Sequence, residues 1–410
     1  MRDSAHLYEL KNGLRGLHLS SPGSISHCAI LVKAGTRDEP EGKEGLAHFI
    51  EHTLFKGTKK RRAIQILNCL DAVGGELNAY TTKEVTCIHA SFTQNYLDRA
   101  ADLISDIVLH SVFPAAEIKK EKEVVAEEIR MYLDTPSEQV FDDFETGVFR
   151  GHALGRNILG TEKSLSGLTR DDLSDFIRSY YHAPNMVFCT CGAFTPAQAE
   201  ELAQKWFGKL SSRGVKHLRK PFRNYHPAQA LQPRDTHQAH NVTGAPAYGL
   251  KHPRRTALSL LVNLLGGPAM NSRLSLSIRE KHGLAYAVEA GYTPYSDNGL
   301  FHVYFGTDPQ HLEKCSALVQ KELKRLREKP LGAAQLHAAK RQLRGQLALL
   351  QEHRLNVLLG CGKSLLMQNR VQPLEKIFAD IDALDAKTLR DTANEIMDEK
   401  NLSSLTFTAS

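Results

Sequence analysis

Two histidines four residues apart, His48 and His52, flank Glu51 in the run Gly45-Leu46-Ala47-His48-Phe49-Ile50-Glu51-His52-Thr53-Leu54-Phe55. The run contains no proline and its apolar residues recur at helical spacing, which predicts a helix. On a helix a four-residue step turns the side chain by about 400°, a full turn plus roughly 40°, so both imidazoles can reach one cation from the same side. A carboxylate one residue before the second imidazole is placed to lean over an open position on that cation and take a proton from a water. Paired imidazoles with such a carboxylate suit zinc, and a catalytic zinc needs a third protein ligand as well.

The acidic stretch from Glu117 to Arg130 is the obvious source of that ligand. Most charges of a helix so rich in Glu and Lys face water and pair at i,i+4. Glu121, Val125, Glu128 and Tyr132 follow an i, i+4, i+7, i+11 stripe, which turns Glu121 and Glu128 to one face with apolar neighbours. Periodicity alone leaves Glu127 and Glu123 open.

The elements that must hold these residues follow from pattern. A hairpin opens the chain, Leu7 to Leu10 and Leu14 to Leu19 around an Asn12-Gly13 turn, and Cys28 to Val32 reads as a buried strand. After the motif helix come a helix from Ile64 to Val73 closed by Gly74-Gly75, and two strands, Glu76 to Thr81 and Val85 to Phe92. Helices at about 95–110 and 115–133 follow, the second stopped by Asp134-Thr135-Pro136. A helix near 170–181, a strand from Met186 to Cys191 and a helix near 196–208 complete the half. The second half repeats the order, with a strand around Ala247 to Leu250, helices at 254–265 and 271–281, strands at 284–292 and 299–306, helices from about 310, and a late strand from Leu402 to Thr408. The fold class expected is therefore α+β, with two similar domains, each a mostly antiparallel sheet packed with helices. The boundaries expected are 1–212 for the domain carrying His48, 213–235 for a polar, proline-bearing linker, and 236–410 for the second domain.

Composition narrows the class. The 410 residues are 41% hydrophobic and 24% charged, as in an ordinary globular protein of two or more domains. A net charge of +6 from 52 basic and 46 acidic side chains is too balanced to argue for nucleic acid, and Lys59-Lys60-Arg61-Arg62 reads as a solvated run. Seven scattered cysteines without a C-x-x-C favour neither a disulfide framework nor a thiolate metal site, which points to a reducing compartment. With no apolar signal region at the start and no membrane-length apolar run, the expectation is a cytoplasmic protein without a membrane span. Gly360-Cys361-Gly362-Lys363-Ser364 lacks the earlier glycine of a phosphate loop, and no G-x-S-x-G serine elbow occurs.

The motif run, the stretch Gly74-Gly75-Glu76-Leu77-Asn78-Ala79-Tyr80-Thr81 and the run Glu121 to Ile129 together resemble the pitrilysin family of zinc peptidases, the inverse zincins that include insulin-degrading enzymes and mitochondrial processing peptidases. In that family the third zinc ligand follows the second histidine by about 76 residues, which is Glu128 here. The resemblance implies one zinc per chain held by His48, His52 and Glu128, with Glu51 as general base and Glu121 as a supporting acid that orients a ligand imidazole. The substrate contacts expected are Asn78 and Ala79, on a strand edge to which a peptide adds as another strand. Arg279-Glu280-Lys281-His282-Gly283-Leu284-Ala285-Tyr286 resembles a second family element, whose arginine and tyrosine bind the substrate carbonyl and the transition state, so Arg279 and Tyr286 take those roles. The resemblance implies a zinc-dependent endopeptidase acting on peptides or unfolded segments inside a chamber, or, as the alternative, a non-catalytic zinc-binding scaffold or assembly subunit of the same fold. Because the chain is about half the length of single-chain relatives, a homodimer with shared active sites is expected.

Overall fold

Eleven strands, assembled in two sheets, frame the described residues of this computed structural model, which are 5–214 and 218–409. The first sheet is built from β1 (His6–Glu9), β2 (Arg15–Ser20), β3 (Ile25–Val32), β4 (Glu76–Thr81), β5 (Thr86–Thr93) and β6 (Met186–Gly192), in the order β1-β2-β6-β3-β5-β4. The second is built from β7 (Gln229–Arg234), β8 (Ala239–Ala247), β9 (Ala285–Pro294), β10 (Gly299–Thr307) and β11 (Ser403–Ala409), in the order β7-β11-β8-β10-β9. The two follow one plan. Each has a single parallel pair, β2 with β6 and β7 with β11. Each has a central strand, β3 or β8, antiparallel to both neighbours, and ends in an edge strand, β4 or β9. This is the α+β architecture of two similar domains, and the shared strand order fits a duplication better than residue identity does.

The chain divides into two compact units that interleave along the sequence. One takes residues up to Ile129, Arg156–Arg219 and Leu350–Gln372; the other takes Arg130–Gly155, Lys220–Leu349 and Pro373 onward. The expected division at 212 and 236 cuts the chain only once, and the stretch expected as linker contains β7. Two helices account for the interleaving. Arg354–Gln368 packs on β6 and β3 of the first sheet. Pro136–Val148, which the sequence reading did not include, packs on β8 and β11 of the second and buries Val140, Phe144 and Val148 with Val242, Leu405 and Phe407. Its omission has a physical cause: Pro136 ends the preceding helix but stands in the first turn of the next, where proline lacks only a hydrogen bond that no residue there would make.

The strand expected at Ala247 to Leu250 lies earlier, as β8, because polar residues hide its character. Asn241 Nδ2 donates to Thr406 Oγ1 at 2.8 Å, Thr243 Oγ1 donates to Asn241 Oδ1 at 2.9 Å, and His240 Nδ1 lies 2.9 Å from Tyr304 OH. These groups are buried yet satisfied, which a central strand tolerates and a hydropathy pattern does not reveal. In the run Lys59 to Arg62, Arg61 donates to Asp106 at 2.7 Å and also pairs with Asp102, so this cation serves packing rather than solvation alone. No helix among the described residues is long and apolar enough to cross a membrane.

Gly362 lets the helix Arg354–Gln368 lie directly on the first sheet: a Cβ there would stand 2.6 Å from Cys189 Sγ and 2.9 Å from a Leu31 methyl. Gly362→Val should therefore destabilise the protein by about 1–3 kcal/mol through overpacking. Urea unfolding measures this, and an unchanged midpoint would contradict the packing described.

Candidate metal centre

The motif helix runs from Leu46 to Leu54 and buries Leu46, Ala47, Phe49, Ile50 and Leu54 in the first unit's core. That burial fixes its rotation and leaves His48, Glu51 and His52 on the remaining side. Its start is fixed separately. The buried Glu39 carboxylate accepts from Gly45 N at 3.1 Å and Ala47 N at 2.8 Å, satisfying amides that a helix N-terminus leaves without partners. Burial pushes the Glu39 carboxyl well above its usual range, with those two amides and Arg156 opposing. Gly45 has φ +88°, and a Cβ on it would stand 2.4 Å from the Leu159 carbonyl oxygen, so the backbone enters the helix along a path closed to other residues.

The acidic helix, Ala115–Leu133, buries Ile118, Glu121, Val125 and Ile129. The same face carries Glu128 toward the motif helix, while Glu123 and Glu127 are exposed. One ligand atom each from His48, His52 and Glu128 lies within 4.8 Å of the others. His48 Nε2 is 3.8 Å and His52 Nε2 3.4 Å from Glu128 Oε2. His52 turns its other nitrogen, Nδ1, to Glu121 Oε1 at 3.0 Å, which directs Nε2 inward. Glu121 in turn receives Lys56 Nζ on Oε2 at 2.7 Å. Glu51 stands beside this group with Oε2 accepting from Thr81 Oγ1 at 2.5 Å.

The electrostatics are those of an electron-rich, partly buried cluster. Burial, reinforced by His52, lowers the His48 pKa to about 4. For His52 burial acts in the same direction, but hydrogen bonds to Glu121 and Glu128 outweigh it and raise the pKa to about 9. The hydrogen bond from His52 holds the Glu128 carboxyl low; burial opposes this. For Glu121, burial is outweighed by His52 and Lys56 and the carboxyl is also held low. Burial raises Glu51, with the Thr81 hydrogen bond offsetting part of the effect. Two imidazole nitrogens and a carboxylate oxygen converging on one point form a donor set suited to zinc.

Asn78 and Ala79 lie on β4, the edge strand that also carries Thr81. The Ala79 amide donates to Asn78 Oδ1 at 2.8 Å. Arg279 and Tyr286 belong to the second unit. Arg279 occupies a π-helical turn, Ser275–Glu280, where an ordinary helix was expected over 271–281, and its Nε lies 3.0 Å from Glu280 Oε1. Tyr286, near the start of β9, is 89% exposed, contrary to the behaviour of a core aromatic.

A family model described as "Insulinase (Peptidase family M16)" matches residues 17–162, and one described as "Peptidase M16 inactive domain" matches 167–343. The "Uncharacterized zinc protease YmxG" of Bacillus subtilis is 33% identical over 96% of this chain and 95% of its own. The chain belongs to peptidase family M16. An "Uncharacterized zinc protease" of Rickettsia bellii is likewise 33% identical, over 97% of this chain and 96% of its own. Among solved structures, a protease from Helicobacter pylori superposes with a TM-score of 0.92 at 24% identity, covering 99% of this chain and 100% of that one. A peptidase M16 inactive domain from Pseudomonas fluorescens also gives 0.92, at 18% identity and 99% and 98% coverage. These two likenesses establish the M16 fold, the pitrilysin-type architecture that the motifs resemble.

Three site residues escaped the sequence reading. Thr81 carries a signal in hindsight, since β-strand alternation puts it on the same face as Ala79. Lys56 follows His52 by four residues but lies beyond the end of the helix, and nothing in the spacing ties Glu39 to an amide six residues on. Gly45→Ala would combine backbone strain with a collision against Leu159 and should cost at least about 2 kcal/mol. Chemical denaturation reads this, and a stability equal to the parent would show that the helix start has room for a side chain.

Proposed function

We propose that this chain is a zinc-dependent endopeptidase that hydrolyses peptides or unfolded segments held as extended strands in an enclosed chamber. The observation that carries the reading is the convergence of His48, His52 and Glu128 with Glu51 alongside. His48, His52 and Glu128 would hold one zinc per chain, and the bound ion supplies the Lewis acidity that makes water nucleophilic near neutral pH. Thr81 engages Oε2 of Glu51, so the other oxygen accepts the proton of the attacking water. Glu51 then delivers that proton to the nitrogen of the leaving amine. Arg279 and Tyr286 donate hydrogen bonds to the carbonyl oxygen as it gains negative charge. Glu121 keeps the His52 ring in the orientation that presents Nε2. A substrate strand pairs along β4 at Asn78 and Ala79, where the outward Ala79 amide exchanges its bond to Asn78 for one to the peptide. Seven cysteines, none of them joined in a disulfide, support the cytoplasm as the compartment.

Glu51→Gln should keep the fold and one zinc per chain, measured by metal analysis, while turnover of a peptide library falls by orders of magnitude. Glu128→Gln should lose the metal. Full zinc and activity in Glu128→Gln would refute the ligand set, and a peptide-bound Glu51→Gln structure without main-chain pairing to β4 would refute the strand-addition mode. A wild-type chain that holds zinc and cleaves no member of the library would favour the scaffold alternative.

The working unit is a homodimer in which Arg279 and Tyr286 of one subunit serve the zinc of the other. A two-fold arrangement is the commonest oligomer, and the exposure of Tyr286 supports a role in facing another surface. Mixing Glu51→Gln subunits with Arg279→Ala subunits should restore activity, since one site of each mixed dimer carries both native elements. No recovery despite demonstrated subunit exchange would exclude sharing.

A further inference from the structure

Glu121 is pulled from two directions. Its Oε1 takes the His52 Nδ1 and its Oε2 takes Lys56 Nζ at 2.7 Å, with the carboxylate itself only 7% exposed. Lys56 lies just past the end of the motif helix, its own amide donating to the Thr53 carbonyl at 3.1 Å, so the ammonium is held by the same turn that ends the helix bearing His52. Three carboxylates, those of Glu51, Glu121 and Glu128, surround the centre, and Lys56 is the cation that meets the one farthest from solvent. A zinc dication and the Lys56 ammonium together balance those three negative charges; without Lys56 one charge is left over beside a ligand.

We infer that Lys56 is a positioning residue that sets the Lewis acidity of the metal centre by neutralising the Glu121 carboxylate behind His52. The inference rests on the zinc reading above and goes beyond it, because it assigns a control on how firmly zinc is held and how strongly it polarises water. A carboxylate behind a ligand imidazole makes that imidazole a stronger donor. A stronger donor binds the ion more tightly and at the same time reduces the positive charge that the ion presents to water and substrate. Lys56 draws on the same carboxylate from the opposite side and limits this donation. The pair thus exchanges retention of the metal for reactivity, and the two should move in opposite directions when the ammonium is removed.

The alternative for such a contact is a simple tie between the end of the motif helix and the acidic helix, which would affect stability alone. Lys56→Met separates the two, because it keeps the apolar stem of the side chain and removes the charge. The zinc-loaded full-length protein is challenged with excess chelator, zinc release is followed with a metal-sensitive dye, and kcat and KM are measured on one peptide. Lys56→Met should release zinc about tenfold more slowly and show kcat about tenfold lower at unchanged KM, with Lys56→Arg restoring most of both. Release and kcat equal to wild type, faster release, or a change in thermal stability alone would overturn the role of Lys56. A wild-type chain that binds no zinc would instead overturn the metal reading on which it rests.

Discussion

Three electron-rich side chains must point at one place, and the rest of the first unit is arranged to make them do so. His48, His52 and Glu128 crowd electron-rich atoms together: the two imidazoles lie with ring centres 4.6 Å apart, and Glu128 Oε2 is 3.4 Å from His52 Nε2. Such an arrangement persists only where the backbone beneath it cannot relax. Five apolar side chains of the motif helix are buried, its first amides are held by Glu39, and Gly45 permits an entry too tight for a Cβ. The acidic helix is equally constrained by Ile118, Val125 and Ile129. The preorganised cluster is thereby ready for a metal ion at little further conformational cost.

What the sequence revealed and what it withheld follow from the range of each interaction. The helical spacing of His48 and His52 is local, and so is the stripe that turns Glu121 and Glu128 to one face, so both were legible. Periodicity alone leaves Glu123 and Glu127 open beside Glu128, because which face of the acidic helix meets the motif helix is not a local property; the family resemblance picks out Glu128 instead. Thr81 and Glu39 act on residues 30 and six or eight positions away through folded contacts, and no periodicity encodes them. Strand β8 is displaced in the reading because Asn241 and Thr243 look like loop residues until β11 supplies a partner for Asn241, which in turn accepts from Thr243. The helix from Pro136 was lost to a residue that is both a terminator and an initiator.

The two sheets share a strand order but not a chemistry. In the second unit the helix Arg255–Gly266 packs on β9 much as the motif helix packs on β4, yet its buried residues, Ala257, Leu258, Leu260, Leu261, Val262, Leu265 and Gly266, include no ligand. What that unit offers instead is a π-helical turn bearing Arg279 and an exposed Tyr286 on the adjoining strand. π-helical turns recur where a functional side chain must be re-aimed, since the extra residue per turn rotates everything after it. A duplicated scaffold can keep its packing rules in both copies while only one retains the donor set.

The interleaving of the units has a consequence for synthesis. The first sheet is complete in sequence at Gly192, but the helix that covers its Cys189 face is not made until residues 354–368. The helix Pro136–Val148, conversely, leaves the ribosome long before β8, β10 and β11 exist to receive it. Each unit must therefore wait on the other's stretch of chain, and apolar surface on both stays uncovered until translation is almost finished. Neither half, expressed by itself, contains what its own sheet needs to be covered.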